Sequence, residues 1–515
     1  MPNRSADALF QLIHSLQKQE KRNFKLYVKR NSSNEDLKII QLFDALDAMK
    51  EYDDDMLMKK TTSIKKQQLS NIKAHLYRQV LASLRLLDNK NIDIQLHEQL
   101  DNARILYNKG LYLQSLKVLD KIKDTAKAHN QISLLVQVLF LEKKIESLHI
   151  TRSMKDRASQ LINESDRVNE HLFRITKLSN LALRLYSWYI NNGHARNEKD
   201  EQELENYFQE YLSEDLDLQD GFYEKLYLYQ SYSWYAFLRQ DFLLYYRYTQ
   251  RWADLFRLEP LMIEIETASY IKGIHNLLNA HFTLRNYSKF ELLLEEFERF
   301  AGSDIVKQSD NNRIQVFVYL YIAKINQHFL DGTFEEGLNL VPVIMGKLKE
   351  FQLHLDRHRI LVFYYKIASL YFGAGDHDKT IDYLNKIINW KVDLRNDLQC
   401  YSRLLHLIAH YELGNYDLME YLIKSVYRFM AKMENLSLVE EEMFRFLRKS
   451  FHLTPQQLRP EFRKLLEKLK QFEKSRFETR AFVYLDIITW LESKVQDKPL
   501  HKILREKYLE RKKAL

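Results

Sequence analysis

The 515-residue sequence is poor in cysteine, proline and glycine. It contains 1 Cys, 6 Pro and 11 Gly. The single cysteine, Cys400, excludes an intramolecular disulfide bond and any metal site that needs several cysteines. The scarcity of proline and glycine argues against a loop-rich β architecture and favours long helices.

Long apolar runs are also missing. No stretch approaches the ~18 apolar residues of a membrane-spanning helix, and ILVFYY at 360–365 is typical of the longest runs. The first residues, MPNRSADALFQLIHSL, lack the apolar core of a signal peptide. The low cysteine content suits a reducing compartment. We therefore expect a cytoplasmic protein without a membrane span.

Signatures of nucleotide and metal enzymes are absent as well. The sequence has no G-x-x-x-x-G-K-[ST] loop, no strand-borne G-x-G-x-x-G and no H-E-x-x-H. His354 and His358, like His406 and His410, have the i, i+4 spacing of two ligands, but neither pair has a third ligand at motif spacing. We predict a non-enzymatic protein with no catalytic residue, metal or cofactor. An enzyme with scattered catalytic groups stays open.

The residues that are present predict a folded protein with a balanced charge. Hydrophobic residues make up 45% and charged residues 29%, and the net charge is +8. The densest basic patch lies in the first 30 residues, where it forms either a solvated helix face or, together with the basic tail at 498–513, a surface for nucleic acid. Its members are Lys18, Lys21, Arg22, Lys25, Lys29 and Arg30.

One segment, 363–390, has the pattern of two helices joined by a tight turn. From Tyr364, apolar residues at i, i+3, i+4 and i+7 share one helix face. Gly375 can adopt the positive φ that ends a helix, and Asp376 or Asp378 can cap the next one. Two helices joined in this way pack antiparallel but cannot bury both of their faces, so further pairs are expected.

Similar turns recur along the chain. Ala103, Gly110, Tyr112 and Leu119 stand at the offsets of the small residue, turn glycine, aromatic residue and second-helix apolar residue of a tetratricopeptide repeat. The chain therefore resembles tetratricopeptide-repeat proteins, which implies an all-α fold in which helix hairpins stack into an α-solenoid. The later turn positions are Gln240, Arg285, Gly332, Gly375 and Gly414.

The spacing of these turns departs from the standard repeat. The steps between them are 45, 47, 43 and 39 residues, whereas a standard unit has ~34 residues. We therefore expect a degenerate array with longer units.

The N-terminal region has a different character. SLQKQEKRNFKLY and LSNIKAHLYRQVLASLRLL resemble the N-terminal region of large helical proteins from Bacteroidetes-type bacteria, and this resemblance implies no activity. We predict a basic helical domain at 1–92, tetratricopeptide-like helical repeats at 93–450, and a C-terminal helical cap with a basic tail at 451–515.

Aromatic residues are most concentrated at 222–248, where 12 of 27 residues are aromatic. Such residues mostly form a core, but exposed tyrosine and tryptophan are favoured at partner-binding surfaces. The resemblance implies that the first helix of each pair lines a concave groove. The partner-binding candidates on these helices are Tyr227, Trp234, Asn279, Phe282, Asn326, Phe329, Tyr365 and Phe372.

Some tetratricopeptide domains hold the C-terminal carboxylate of a peptide with lysine and asparagine side chains from three first helices. Asn279 and Lys366 match two of those five positions, whereas His275, Ala323 and Val362 occupy the other three. Two matches do not predict this clamp. The sequence thus predicts a scaffold that binds a peptide or helix of another protein, with a nucleic-acid-associated or regulatory protein as the alternative.

Overall fold

The protein is all-α in its computed structural model, and the described residues include no strand. The chain divides into an N-terminal unit, Met1–Asn169, and a C-terminal unit, Glu170–Leu515. The segments at 1–92, 93–450 and 451–515 stay a prediction. The structure describes residues 7–29, 34–88, 91–148, 156–212, 221–352, 354–390, 396–433, 436–450, 453–473, 475, 477–478, 482 and 485–513.

The N-terminal unit has two hydrophobic clusters. In the first, the rings of Phe24 and Phe43 lie 4.7 Å apart and both side chains are fully buried. In the second, Leu100, Leu119 and Val138 are fully buried. The helices are α1 (Ala8–Ser15), α2 (Lys18–Lys29), α3 (Asn34–Asp47), α4 (Asp54–Lys60), α5 (Lys66–Leu87), α6 (Ile92–Asn108), α7 (Tyr112–Ala128), α8 (Ile132–Leu148) and the start of α9 (Arg157–Asn192).

The C-terminal unit contains the rest of α9 and the remaining helices. These are α10 (Glu198–Tyr211), α11 (Phe222–Leu238), α12 (Phe242–Leu258), α13 (Leu261–Ile265), α14 (Thr267–Thr283), α15 (Tyr287–Ala301), α16 (Asp304–Lys307), α17 (Asp310–Asp331), α18 (Phe334–Gly337), α19 (Leu340–Glu350), α20 (Arg357–Ala374), α21 (His377–Ile388), α22 (Asn396–Glu412), α23 (Tyr416–Lys432), α24 (Leu438–Ser450), α25 (Pro455–Phe472), α26 (Ile487–Gln496) and α27 (Leu500–Lys513).

Helices of the C-terminal unit end in left-handed turns at the positions predicted from the sequence. The backbone angle φ is 85° at Gly375 and 70° at both Gly332 and Gly414. Gln240 and Arg285 also have positive φ, 58° and 53°, although they lack the conformational freedom of glycine. All five predicted turn positions therefore follow a helix end.

The turn at Gly375 is closed by a characteristic hydrogen-bond pattern. The amide of Asp376 donates to the carbonyl oxygen of Tyr371 at 3.0 Å, the long bond of a Schellman turn. The Asp376 carboxylate then accepts a hydrogen bond from the Lys379 amide at 2.9 Å and caps α21. Of the two predicted caps, Asp376 therefore fills this role.

Consecutive helices pack on one another in series. α11 contacts α12, α14 contacts α15, α20 contacts α21 and α22 contacts α23. Contacts also run between the pairs, from α14 to α17, from α17 to α20 and from α20 to α22. This series brings one face of α14, α17 and α20 together.

The C-terminal helix α27 folds back onto α15, α17 and α20. The Tyr508 hydroxyl donates a hydrogen bond to Glu291 at 2.8 Å. Where α27 passes Gly332, a Cβ atom added to this glycine would lie only 2.7 Å from the carbonyl oxygen of His501. The basic tail is thus held against other helices of its own unit.

Candidate binding cavity

A cavity of about 660 Å³ lies among the helices of the C-terminal unit. Its lining includes residues of α11, α14, α17 and α20, and Leu500 and Leu504 of α27 also contribute. The C-terminal helix therefore forms part of the wall. A volume of this size is typical of ligand sites in proteins.

Seven of the eight partner-binding candidates line this cavity. Tyr227 is absent from the lining, and its ring stacks against Tyr223 at 6.4 Å. Tyr365 and Phe372 are only 5% and 6% exposed and reach the cavity from the hydrophobic core. The seven are Trp234, Asn279, Phe282, Asn326, Phe329, Tyr365 and Phe372.

Three neighbouring helices each contribute a stripe of side chains to the cavity, in addition to other lining residues such as Tyr365 and Phe372 of α20. The members of a stripe are three, four and three residues apart, which keeps them on one helix face. The stripes are Lys272, His275, Asn279 and Phe282 on α14; Tyr319, Ile322, Asn326 and Phe329 on α17; and Arg359, Val362, Lys366 and Ser369 on α20.

The first residues of the three stripes form a charged cluster. Lys272 Nζ lies 5.0 Å from the centre of the Tyr319 ring, and Lys272 forms no ion pair with a carboxylate of the described residues. Burial raises the pKa of Tyr319, but the charges of Lys272 and Arg359 outweigh it, so the pKa is lowered. Arg359 is partly neutralised because its Nε lies 3.4 Å from Asp356.

Lys366 brings a further cation into the cavity. Its Nζ donates a hydrogen bond to Asn326 at 2.7 Å and lies 5.4 Å and 5.1 Å from the ring centres of Phe282 and Phe329. No carboxylate in the described part of the chain pairs with it. Burial lowers the pKa of Lys366 from 10.5 to about 8. Because a buried charge without a counter-charge is costly, this lysine is a candidate for function.

His275 is a neutral member of the same site. Its Nε2 accepts a hydrogen bond from the side-chain amide of Asn279 at 3.0 Å. Burial lowers the pKa of His275 well below 6.5, and the charges of Lys272, Lys366 and Arg359 lower it further. The imidazole is therefore uncharged at neutral pH. It lies between the charged cluster and Asn279, to which it is hydrogen-bonded.

The sequence reasoning missed Lys272, Tyr319 and Arg359. Val362 lies as far before the turn at Gly375 as Tyr319 lies before the turn at Gly332. The repeat pattern therefore makes these two residues equivalent. In the structure it is Arg359, one helical turn earlier, whose charge acts on Tyr319. Counting the same distance back from the turn at Arg285 gives Lys272, so the repeat pattern could have found Lys272 and Tyr319 but not Arg359.

The basic patch of α2 is divided between ion pairs and solvent. Lys21 and Lys25 pair with Asp47 and Asp44 of α3 at 2.5 Å and 2.6 Å. Arg30 lies outside the described residues. The exposed members are Lys18, Arg22 and Lys29.

The histidine pair on α22 has the surroundings of a packed helix. The rings of His406 and His410 lie 4.5 Å apart. Burial lowers the pKa of His406 to about 4, with further contributions from His410 and Arg403. Within the described ranges, no group of three or more His, Cys, Asp or Glu side chains is placed to hold a metal ion.

Comparisons with known proteins add no family. The chain matches no protein-family model. A search of curated proteins likewise finds no match. Among the described residues, no helix has both the length and the apolar character needed to cross a membrane.

Proposed function

We propose that this protein is a non-enzymatic scaffold that binds a peptide or helical segment of another protein in the cavity of its C-terminal unit. One observation carries the proposal: seven residues predicted as a binding surface share one cavity. The same cavity holds Lys272 and Lys366, which have no carboxylate partner in the described chain. Cavities that join apolar walls to a few polar groups are typical binding sites.

The lining suits a peptide in its chemistry. Asn279 and Asn326 supply amide groups that can hydrogen-bond to a peptide backbone, while Phe282 and Phe329 can contact an apolar side chain. Trp234 adds a partly exposed ring of the kind enriched at interaction hot spots. A segment entering the cavity would thus find both polar and apolar contacts.

The proposal includes a fold of stacked, tetratricopeptide-like hairpins. The left-handed turns and the serial contacts of α14, α17, α20 and α22 support it. Steps of 39 to 47 residues between the turns imply units longer than the standard ~34 residues. In such an array the first helices form a concave binding face. The proposed compartment is the cytoplasm, which suits the single, buried Cys400.

A peptide selection tests this function. We would select a phage-displayed dodecapeptide library on the immobilised full chain and measure the selected peptides on variants by fluorescence anisotropy. The Phe329→Ala variant should weaken binding about tenfold or more, because it removes a ring from the cavity. Phe173→Ala is the matched control, since Phe173 is 70% exposed and lies outside the cavity lining.

Two results would contradict the scaffold proposal. One is a selection that enriches no peptide. The other is a set of peptides that bind the Phe329→Ala and Phe173→Ala variants equally well. Thermal melts monitored by circular dichroism show whether Phe329→Ala keeps its fold, and Asn279→Ala provides a second, milder cavity variant.

A further inference from the structure

The cavity has a charged cluster at the start of its three stripes and phenyl rings at the end of two of them. Lys272, Tyr319 and Arg359 begin the stripes of α14, α17 and α20, so each helix contributes one residue to the charged cluster. Phe282 and Phe329 come last in the stripes of α14 and α17. A ligand that follows the stripes therefore meets Lys272 and Arg359 first and the phenyl rings last, with Lys366 between those two rings.

The positive charges of the cavity are not balanced by the protein. Arg359 has Asp356 at 3.4 Å, whereas Lys272 and Lys366 have no carboxylate partner in the described residues. Counting the cations Lys272, Lys366 and Arg359 against Asp356 leaves two positive charges. Elsewhere in the lining, Asp486 is paired with Arg285 at 3.0 Å, and Glu473 is exposed.

The hydroxyl of Tyr319 fits the same role. It is held close to two cations, so it is a strong hydrogen-bond donor to an anion. The Tyr319 ring is fixed by stacking on His275, with the ring centres 4.3 Å apart. Two cationic side chains and a hydroxyl from three different helices make a preorganised anion cradle.

From this geometry we infer that the cavity binds a phosphate monoester carried on an apolar or aromatic body. Lys272, Arg359 and the Tyr319 hydroxyl hold the phosphate, and Lys366 contributes the second unbalanced charge. A phosphate monoester carries close to two negative charges at neutral pH and neutralises this excess, whereas a single carboxylate leaves one positive charge. The phenyl rings at the end of the stripes receive the body of the ligand.

This inference deepens the proposed function and rests on it where the phosphate belongs to a peptide. A phosphotyrosyl side chain and a nucleoside monophosphate both present a phosphate on a ring-bearing body. The two sources share one chemistry at the cradle and differ in whether a peptide backbone is present.

Isothermal titration of the full chain with three probes tests the inference. The probes are a capped alanine peptide with a central phosphotyrosine, the same peptide with tyrosine, and adenosine 5′-monophosphate. The phosphopeptide should bind at least about tenfold more tightly than the tyrosine peptide, as expected for charge-assisted hydrogen bonds. Lys272→Met and Tyr319→Phe should each remove most of this difference.

Matched controls separate the cradle from general charge effects. Lys379 and Lys347 are exposed lysines that pair with Asp382 and Glu350 on their own helices. Lys379→Met and Lys347→Met should leave the affinities unchanged. Thermal melts check the fold of each variant, and Tyr319→Phe keeps the stacked ring.

Each result has a definite meaning. Binding of the nucleotide but of neither peptide supports the phosphate cradle with a nucleotide as the source of the phosphate, and the phage selection alone then decides the peptide scaffold. Equal binding of the phosphorylated and unphosphorylated peptides overturns the cradle and leaves the scaffold standing. Failure of both phosphate probes to bind at millimolar concentration, or binding that the Lys272→Met and Tyr319→Phe variants do not weaken, also overturns the cradle.

Discussion

At the scale of a residue, Lys366 places a charge that suits ligand binding where it lowers the stability of the fold. It is held between Phe282 and Phe329 with Asn326 as its neutral partner. Burial lowers its pKa from 10.5 to about 8, so the folded protein releases this proton more readily than the unfolded chain does. Keeping the charge at neutral pH therefore costs folding free energy, as is common for binding sites.

Replacing this lysine should stabilise the protein. We expect Lys366→Met to raise the free energy of unfolding at pH 7 by about 1 to 3 kcal/mol, because methionine removes the buried charge. The unfolded state binds more protons than the folded state between about pH 8 and 10.5. The advantage of methionine should therefore shrink across that range. Urea denaturation at pH 7 and pH 10 measures it.

Lys379→Met provides the control for this experiment, since Lys379 is exposed on α21 and pairs with Asp382 at 3.4 Å. Its effect should stay within about 0.5 kcal/mol at both pH values. A loss of stability in Lys366→Met at pH 7 would show that the ammonium group supports the fold, and would remove one argument for a binding role.

At the scale of elements, the turns join the two helices of each pair, and the C-terminal helix α27 packs against the turn at Gly332. Gly375 and Gly332 both have positive φ, 85° and 70°. Nothing lies within 4 Å of a Cβ atom at Gly375, whereas one at Gly332 would meet α27. The first glycine is therefore required by the backbone alone and the second also by packing.

This difference predicts unequal effects of the same substitution. Gly375→Ala should destabilise the protein by about 1 kcal/mol through backbone strain. Gly332→Ala should cost at least about 1 kcal/mol more, because its methyl group displaces α27. Urea denaturation gives the two energies, and hydrogen exchange should show faster exchange of α27 amides in Gly332→Ala only. Equal energies and unchanged exchange would contradict the close packing of α27.

The sequence was sufficient for the local features of these elements but not for the contacts between distant ones. The periodicity of apolar residues predicts the helices. Recurring turn sequences predict the turns at Gln240, Arg285, Gly332, Gly375 and Gly414. The return of α27 across the turn at Gly332 depends on contacts between residues more than 150 positions apart, for which no local pattern exists.

The candidate site shows the same limit. The aromatic and asparagine residues of the cavity were found by counting back from the turns, because their positions repeat. Arg359 was missed because the charge next to Tyr319 comes from one helical turn earlier on α20 than this count implies. Side-chain packing sets how far neighbouring helices are offset along their axes. The spacing of the turns does not predict this offset.

At the scale of the whole molecule, two groups of cationic side chains lie in very different surroundings. The basic patch on α2 of the N-terminal unit has Lys18 and Lys29 exposed to solvent. The cavity of the C-terminal unit holds Lys272 and Lys366 among aromatic rings. The first arrangement suits a screened, non-specific contact and the second a selective ligand site.

Lysine footprinting of the full chain compares these two places in one measurement. The chain would be labelled with an amine-reactive reagent at pH 8, with and without the tightest peptide from the phage selection, and quantified by mass spectrometry. We predict the largest loss of labelling at Lys272 and Lys366, with Lys18 and Lys29 unchanged. Loss of labelling at Lys18 and Lys29 alone would contradict the claim that the cavity is the binding site.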